Sequence, residues 1–446
     1  MKNSMKRKHI YDKDWRYSLL RVFWTDWNVR QSYRKIEVRG LEDMPEDGAV
    51  IVCPNHCNTL MDAMVVLHSY KGPTVFGARA DIFRKPLIAN IMYFLRILPM
   101  VRQRDGLRNV LQNNQTQEII VETLANDVRF CLFPEGAHRT KHSLQRLGKG
   151  APRIALAANN EFGEKKPIYI VPVGIEYGDY FRYRSTCLVN SGKAINVTEF
   201  LKNGGFESEP QAIEALRQEL SIRISELITY IPDDENYESK WELTKMLAIY
   251  KNRRGYGQFG TDLYDSMKKN REIASRIESA MEADPEKVAS ILERVRDFEK
   301  VRRDKGISIY SFRKMNPLGN AIGKGFAALL GLPYFIFSAI ASLPLWATEA
   351  KIRKGIKDPA FGNTVSFGIK LALGFILLFV YAALAFTLAP WWLATALFLL
   401  YIPSFSYFHD YLEGCRRWIS DIKLLNNKGL YKEFKHIVKD FLKISK

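Results

Sequence analysis

A chain of 446 residues is long enough to bury a sizeable core in two or more domains. Its formal charge of +18 is spread among aromatics and long apolar runs. That balance points to anionic membrane lipids and phosphorylated substrates as partners and away from nucleic acid, for which no recognition motif is present. Five cysteines, an odd number without CxxC spacing, argue against a disulfide framework or a zinc site and fit small core residues in a reducing compartment.

The basic N-terminus is not followed by the roughly 7- to 15-residue apolar run of a secretory signal. Trp15 to Trp27 (WRYSLLRVFWTDW) instead interleaves Trp, Phe and Leu with Arg16 and Arg21. Residues 1–35 are expected as a basic aromatic interfacial helix with its arginines on lipid phosphates, or as a helix packed on the next domain. From Ile36 the pattern alternates. Short apolar runs at Ile36 to Val38, Val50 to Cys53, Thr74 to Phe76, Leu98 to Val101, Phe130 to Phe133, Tyr169 to Val173 and Cys187 to Asn190 read as strands. Leu107 to Leu124 and Gly150 to Asn160 read as helices between them. This predicts an α/β domain over residues 36–205, a mixed sheet flanked by helices.

Its most informative stretch is Ala49 to Met64, AVIVCPNHCNTLMDAM. A buried strand ends at Pro54, and Asn58 or Thr59 offers an N-cap for a helix with apolar positions Leu60, Met61, Met64 and Leu67. His56 then sits at the carboxyl end of a strand, with Asp62 in the first helical turn behind it. That arrangement suits an imidazole base oriented by a carboxylate, the device needed to make a hydroxyl attack at neutral pH. Taken alone, such a stretch is more often a satisfied loop histidine and a helix-start acid. A second stretch, FCLFPEG at Phe130 to Gly136, is another buried strand ending in a turn, followed by the basic run His138, Arg139, Lys141 and His142.

With these residues the sequence resembles the glycerolipid acyltransferases, which esterify glycerol 3-phosphate or lysophosphatidate. Four blocks carry the resemblance in the family's order: NHCNTLMD, LPMVRQRDG at Leu98 to Gly106, FPEGAHR at Phe133 to Arg139, and IVPVGIEY at Ile170 to Tyr177. Together they cover roughly residues 30 to 200. The resemblance implies that His56 and Asp62 are the catalytic pair, in the variant with five residues between them. It implies that Arg102, with Arg104 assisting or pairing with Asp105, holds the acceptor phosphate. A guanidinium can donate two parallel charge-assisted bonds to such a group. It also implies acceptor-site roles for Glu135, which would orient the substrate, and Gly136, which would permit close backbone approach. The family's usual arginine position is His138 here. The resemblance then implies either that the phosphate role has shifted by one residue to Arg139 or that Lys141 and Lys149 share it. The IVPVGIEY block lines the cleft by resemblance and is a core strand interrupted at Pro172 by pattern. The implied mechanism needs no acyl-enzyme, metal or bound cofactor, with acyl-CoA or acyl carrier protein as co-substrate.

Residues 206–316 are charged and predict a helical connector. In the membrane region, 317–408, the segment 325–347 is expected as re-entrant or spanning and 371–408 as a hairpin. At 1.5 Å per residue the uncharged run from Leu371 to Phe408 would extend roughly 57 Å, about twice a bilayer core, so two helices turning near Ala389-Pro390-Trp391 are expected. Lys351, Arg353, Lys354 and Lys357 before the hairpin and Arg416, Arg417, Lys423 and Lys428 after it place both flanks in the cytoplasm. A basic tail, 409–446, completes the chain. The expectation is an integral protein of a bacterial inner membrane with a cytoplasmic acyltransferase domain. Rivals are a lysophospholipid or ornithine-lipid acyltransferase and a catalytically silent binder of lipid phosphates.

Overall fold

A computed structural model describes residues 9–100, 110–251, 262–313 and 317–445. Its N-terminal half holds a mixed eight-stranded sheet: β1 (Tyr33–Arg39), β2 (Ala49–Pro54), β3 (Thr74–Arg79), β4 (Ile97–Met100), β5 (Arg129–Cys131), β6 (Ile168–Tyr177), β7 (Ser185–Ser191) and β8 (Ile195–Asn196). The order is β1-β7-β6-β2-β5-β3-β4, with β8 beside β6. β2 is parallel to both its neighbours, β5 and β6, and β8 is antiparallel to β6. Every residue of β2 is buried, as expected of a central parallel strand covered on both faces. β1, β2, β3, β6 and β7 run longer than their apolar runs, β5 stops at Cys131, short of Phe133, and β8 has too few residues to show a period.

Pro172 does not interrupt β6. It pairs in register with Cys53, and its carbonyl accepts from Gly192 N at 2.9 Å, just past the end of β7. The N–H that proline lacks therefore falls where the neighbouring strand has stopped.

Helices α1 (Trp15–Leu19), α2 (Asp26–Ser32), α3 (Thr59–Ser69), α4 (Pro86–Phe94), α5 (Val110–Ala125), α6 (Gly150–Phe162), α7 (Val197–Asn203) and α8 (Glu209–Glu226) accompany the sheet. A π-helical turn, Leu20–Thr25, joins α1 to α2. Tyr17 meets Phe94 edge to face, while Trp15, Leu19, Val22 and Phe23 are exposed. Arg16 pairs with Asp14 at 3.0 Å, and Arg21 donates to the carbonyls of Leu67 and Tyr70 at 2.8 and 2.7 Å, closing the C-terminal end of α3.

The described residues divide into two compact units. The first comprises those of Met1–Val29, Ile36–Glu176 and Cys187–Ile228; the second comprises those of Arg30–Lys35, Tyr177–Thr186 and Thr229–Lys446. In the first, Ile51, Cys53, Phe130, Ile154 and Ile170 share one core cluster with Leu216, Leu220 and Ile224 of α8. The helix expected to open the connector thus belongs to the sheet's own core.

The second unit contains α9 (Tyr237–Lys251), α10 (Leu263–Ala283), α11 (Pro285–Asp304), α12 (Pro317–Ala341), α13 (Leu343–Arg353), α14 (Phe361–Leu388), α15 (Trp391–Leu425) and α16 (Lys428–Ile444). α16 is no free tail. Phe434, Ile437, Val438 and Phe441, at helical spacing, are buried against Leu247, Ile277, Val295 and Phe312. Arg302 donates to the fully buried Glu242 at 2.9 Å, with Lys245 on the same carboxylate.

Leu318–Ala341, α14 and α15 are long and apolar enough to cross a membrane. The turn between the last two falls at Ala389 and Pro390 as expected. α12 is continuous through Pro333 and breaks only at Ser342. It runs antiparallel to α15, with Tyr411 Oη donating to Ala328 O at 2.9 Å, Tyr407 Oη to Gly331 O at 3.0 Å and Tyr334 Oη to Leu400 O at 2.8 Å. A Cβ on Gly331 would come 2.5 Å from Tyr407 Oη, so any side chain there would displace that hydroxyl. α13 turns back. Its Glu349 and Arg353 bond Ser366 and Gly362 of α14 at 2.8 Å each, and Glu349 lies 3.1 Å from His409 of α15.

Candidate active site

Residues 55–58 form the turn between β2 and α3, at the carboxyl end of a central strand. Asn55 secures it. Its Nδ2 donates to Ile175 O at 3.1 Å and its Oδ1 accepts from Ile175 N at 2.6 Å, extending the contact with β6 by a side chain where β2 has ended.

His56 follows. Its Nδ1 lies 2.8 Å from Asp62 Oδ2, and the same oxygen accepts the N–H groups of Cys57 at 2.7 Å and Asn58 at 2.6 Å. Asp62 is fully buried, and these donors hold it in one orientation. An acceptor-only carboxylate opposite Nδ1 assigns the proton to that nitrogen and leaves Nε2 as the base. The imidazole itself is 19% exposed, so the pair has one sealed and one open end.

The N-cap departs from expectation. Asn58 occupies the position, but its side chain makes no capping bond: Met61 N donates to the Asn58 backbone carbonyl at 2.9 Å instead, and Asp62 reaches back to the N–H groups of Cys57 and Asn58. Thr59 begins the helix at φ 44°, a left-handed conformation disfavoured for a β-branched residue. The long His-to-Asp spacing is accommodated here.

The FPEG turn lies against His56. Glu135 Oε1 accepts His56 N at 2.7 Å and Oε2 accepts Gln145 N at 2.9 Å, so both oxygens are engaged with backbone. Burial pushes the Glu135 carboxyl up, against the opposing pull of these N–H groups and the nearby imidazole. Gly136 takes φ 69°, which explains the glycine, and a Cβ there would meet nothing within 4 Å, so the space above it is open. Arg139 donates from its backbone to His56 O at 3.0 Å and from Nη2 to Ser143 Oγ at 2.9 Å. The rings of Phe133 and His138 lie 4.5 and 5.9 Å from that of His56. Lys149 pairs with Glu214 of α8 at 3.2 Å, and Arg217 with Lys149 holds that carboxyl down at about 2. Arg102 and Arg104 lie outside the described residues.

Cys57 is a conceivable rival nucleophile beside the base. Burial, with Asp62 and Glu135 adding to it, pushes its thiol well up, which keeps it protonated and inert. Among the described residues no group of three His, Cys, Asp or Glu side chains is placed to hold a metal ion. Asn55 and Gln145, which shape this site, escaped sequence reasoning: an amide bonding to backbone at a distant position leaves no local pattern.

Residues 35–176 match the Acyltransferase family. This stretch is an acyltransferase-family domain. The acyltransferase domain contains the His56–Asp62 pair, the FPEG turn and the β2–β6 contact that supports them, and its match ends within β6. Among solved structures, the 1-acyl-sn-glycerophosphate (LPA) acyltransferase PlsC from Thermotoga maritima is similar at 18% identity, over 48% of this chain and 83% of that one, with a TM-score of 0.35. No curated protein matches the chain.

Proposed function

We propose that this protein is a membrane-bound O-acyltransferase that moves a fatty acyl group from acyl-CoA or acyl carrier protein to the hydroxyl of glycerol 3-phosphate or lysophosphatidate. The observation that carries this is the 2.8 Å contact of His56 with a buried Asp62 inside an acyltransferase-family domain. His56 Nε2 takes the proton of the acceptor hydroxyl as its oxygen attacks the thioester carbonyl, and Asp62 stabilises the imidazolium. A base positioned in this way contributes roughly 10²- to 10⁴-fold. Glu135 acts by fixing the His56 backbone, Gly136 leaves room over the turn, and Arg102, Arg104, Arg139 and Lys149 supply cations for the acceptor phosphate. Purified protein offered either thioester with either acceptor should form ester product, and His56→Ala should abolish it. Equal product from both proteins removes the mechanism, and no product with any acceptor favours a silent binder of lipid phosphates.

The proposed setting is a bacterial inner membrane, with the acyltransferase domain and both basic flanks in the cytoplasm. Parity of crossings supports a common side for the two basic flanks. The start of α12 and the end of α15 meet through Lys324 and Asp421, and α16 packs with α9, α10 and α11. The number of crossings between those ends must therefore be even, although three helices are long enough to cross. α12 and α13, which rise and return, form a re-entrant hairpin, while α14 and α15 cross. Lys351 to Lys357 then stay on the cytoplasmic side.

A further inference from the structure

A base alone leaves one charge of acyl transfer unattended. When the acceptor oxygen bonds to the thioester carbon, the carbonyl π pair moves onto oxygen, and that oxyanion needs a donor aimed at it. Six of the backbone N–H groups around His56 are already engaged: Asn55 with Val173 O, His56 with Glu135, Cys57 and Asn58 with Asp62, Gly136 with Phe133 O, and Arg139 with His56 O.

Among the described residues a buried side-chain donor beside them is uncommitted. Asn58 is 0% exposed, and neither Nδ2 nor Oδ1 of its side chain has a hydrogen-bond partner. Most buried amides in folded proteins are hydrogen-bonded, so one that is not calls for an explanation, and a transient ligand group is one that fits a place beside the base. Its backbone N and the imidazole of His56 bond the same oxygen of Asp62, so the amide belongs to the residue adjoining the base in space as well as in sequence. The next residue, Thr59, sits in the left-handed region at φ 44°. That strained link is where the turn can shift to turn the amide outward.

Resting on the acyl-transfer reading above, we infer that Asn58 Nδ2 is the oxyanion donor of this site. The acceptor oxygen bonds to the carbonyl carbon, its proton passes to His56 Nε2, and the developing oxyanion accepts a hydrogen bond from Asn58 Nδ2. As the C–O π bond re-forms the C–S bond breaks, and the departing thiolate takes the proton back from His56.

The test compares full-length wild type with Asn58→Leu and Asn58→Ala, using a long-chain acyl-CoA with lysophosphatidate and with glycerol 3-phosphate. Because the amide has no partner to lose, Asn58→Leu keeps or raises Tm, and Asn58→Ala decides if the larger side chain does not fold. The expected result is a fall in kcat of about 10²- to 10³-fold, with KM for both substrates within about threefold and the pH dependence of kcat unmoved, a split that a merely structural role does not produce. A folded variant with kcat within about threefold of wild type overturns the inference alone. A wild type that transfers no acyl group to either acceptor overturns the acyl-transfer reading and the inference with it.

Discussion

Replacing Asp62 by Asn isolates the electrostatic part of the proposed mechanism, because the side chain keeps its shape and loses its charge. In the free enzyme Asp62 Oδ2 accepts from His56 Nδ1, Cys57 N and Asn58 N at 2.6 to 2.8 Å. An amide oxygen in that place preserves the contacts but turns charge-assisted bonds into neutral ones, a loss of about 1 kcal/mol each. The two backbone bonds therefore predict a stability loss of about 2 kcal/mol. The rate effect is larger. As His56 becomes imidazolium, its attraction to a carboxylate about 4 Å away is worth roughly 4 kcal/mol at an effective dielectric of 20. At about 1.4 kcal/mol per decade this corresponds to a kcat loss of about 10³-fold. The assay is the initial rate of thiol release from acyl-CoA in the presence of acceptor, read at a temperature where both proteins are folded. An Asp62→Asn enzyme within tenfold of wild type would refute the claim that a charge behind His56 drives the transfer.

Thr59→Gly should raise thermal stability, by about 1 kcal/mol, because glycine adopts φ 44° without the β-branched clash; an unchanged or lower Tm counts against strain at that residue. In the helical bundle, Glu242→Ala leaves Arg302 buried without its carboxylate and should cost about 3 to 5 kcal/mol in chemical denaturation. Burial opposes ionisation of Glu242, yet Lys245 and Arg302 prevail and lower its folded pKa. The stability it contributes is thus present above the ordinary glutamate range and lost as pH falls below it, so Glu242→Gln should flatten the fall of Tm on acidification. For the topology, single cysteines introduced at Ala389 and Gly355 should react with a membrane-impermeant thiol reagent on opposite sides of sealed vesicles, and labelling on the same side would remove the hairpin assignment.

Much of the acyltransferase domain is legible in the sequence, and the reason is local. Val50 to Cys53 and Phe130 to Phe133 are apolar, bounded by proline, and long enough only for strands, so the turns that carry His56 and Glu135 are expected after β2 and β5, where they lie. The turn at Ala389-Pro390 was equally plain, since no single helix of that length fits a bilayer. Where a side chain would find its partner was not legible. No local pattern shows that Glu135 holds the His56 backbone 79 residues away. Nor does any show that Lys149 pairs with Glu214.

The sequence by itself determined the strand and helix periods, the residues at the strand ends and the lengths of the apolar helices, because each depends on neighbours within a few positions. Tertiary structure alone decided that α8 completes the sheet's core, that α16 closes the helical bundle, that α13 returns along α14, and that the Asn58 amide is left without a partner. These depend on which distant surfaces meet, and hydrophobic period is blind to that choice, since any apolar face can bury against any other of matching shape.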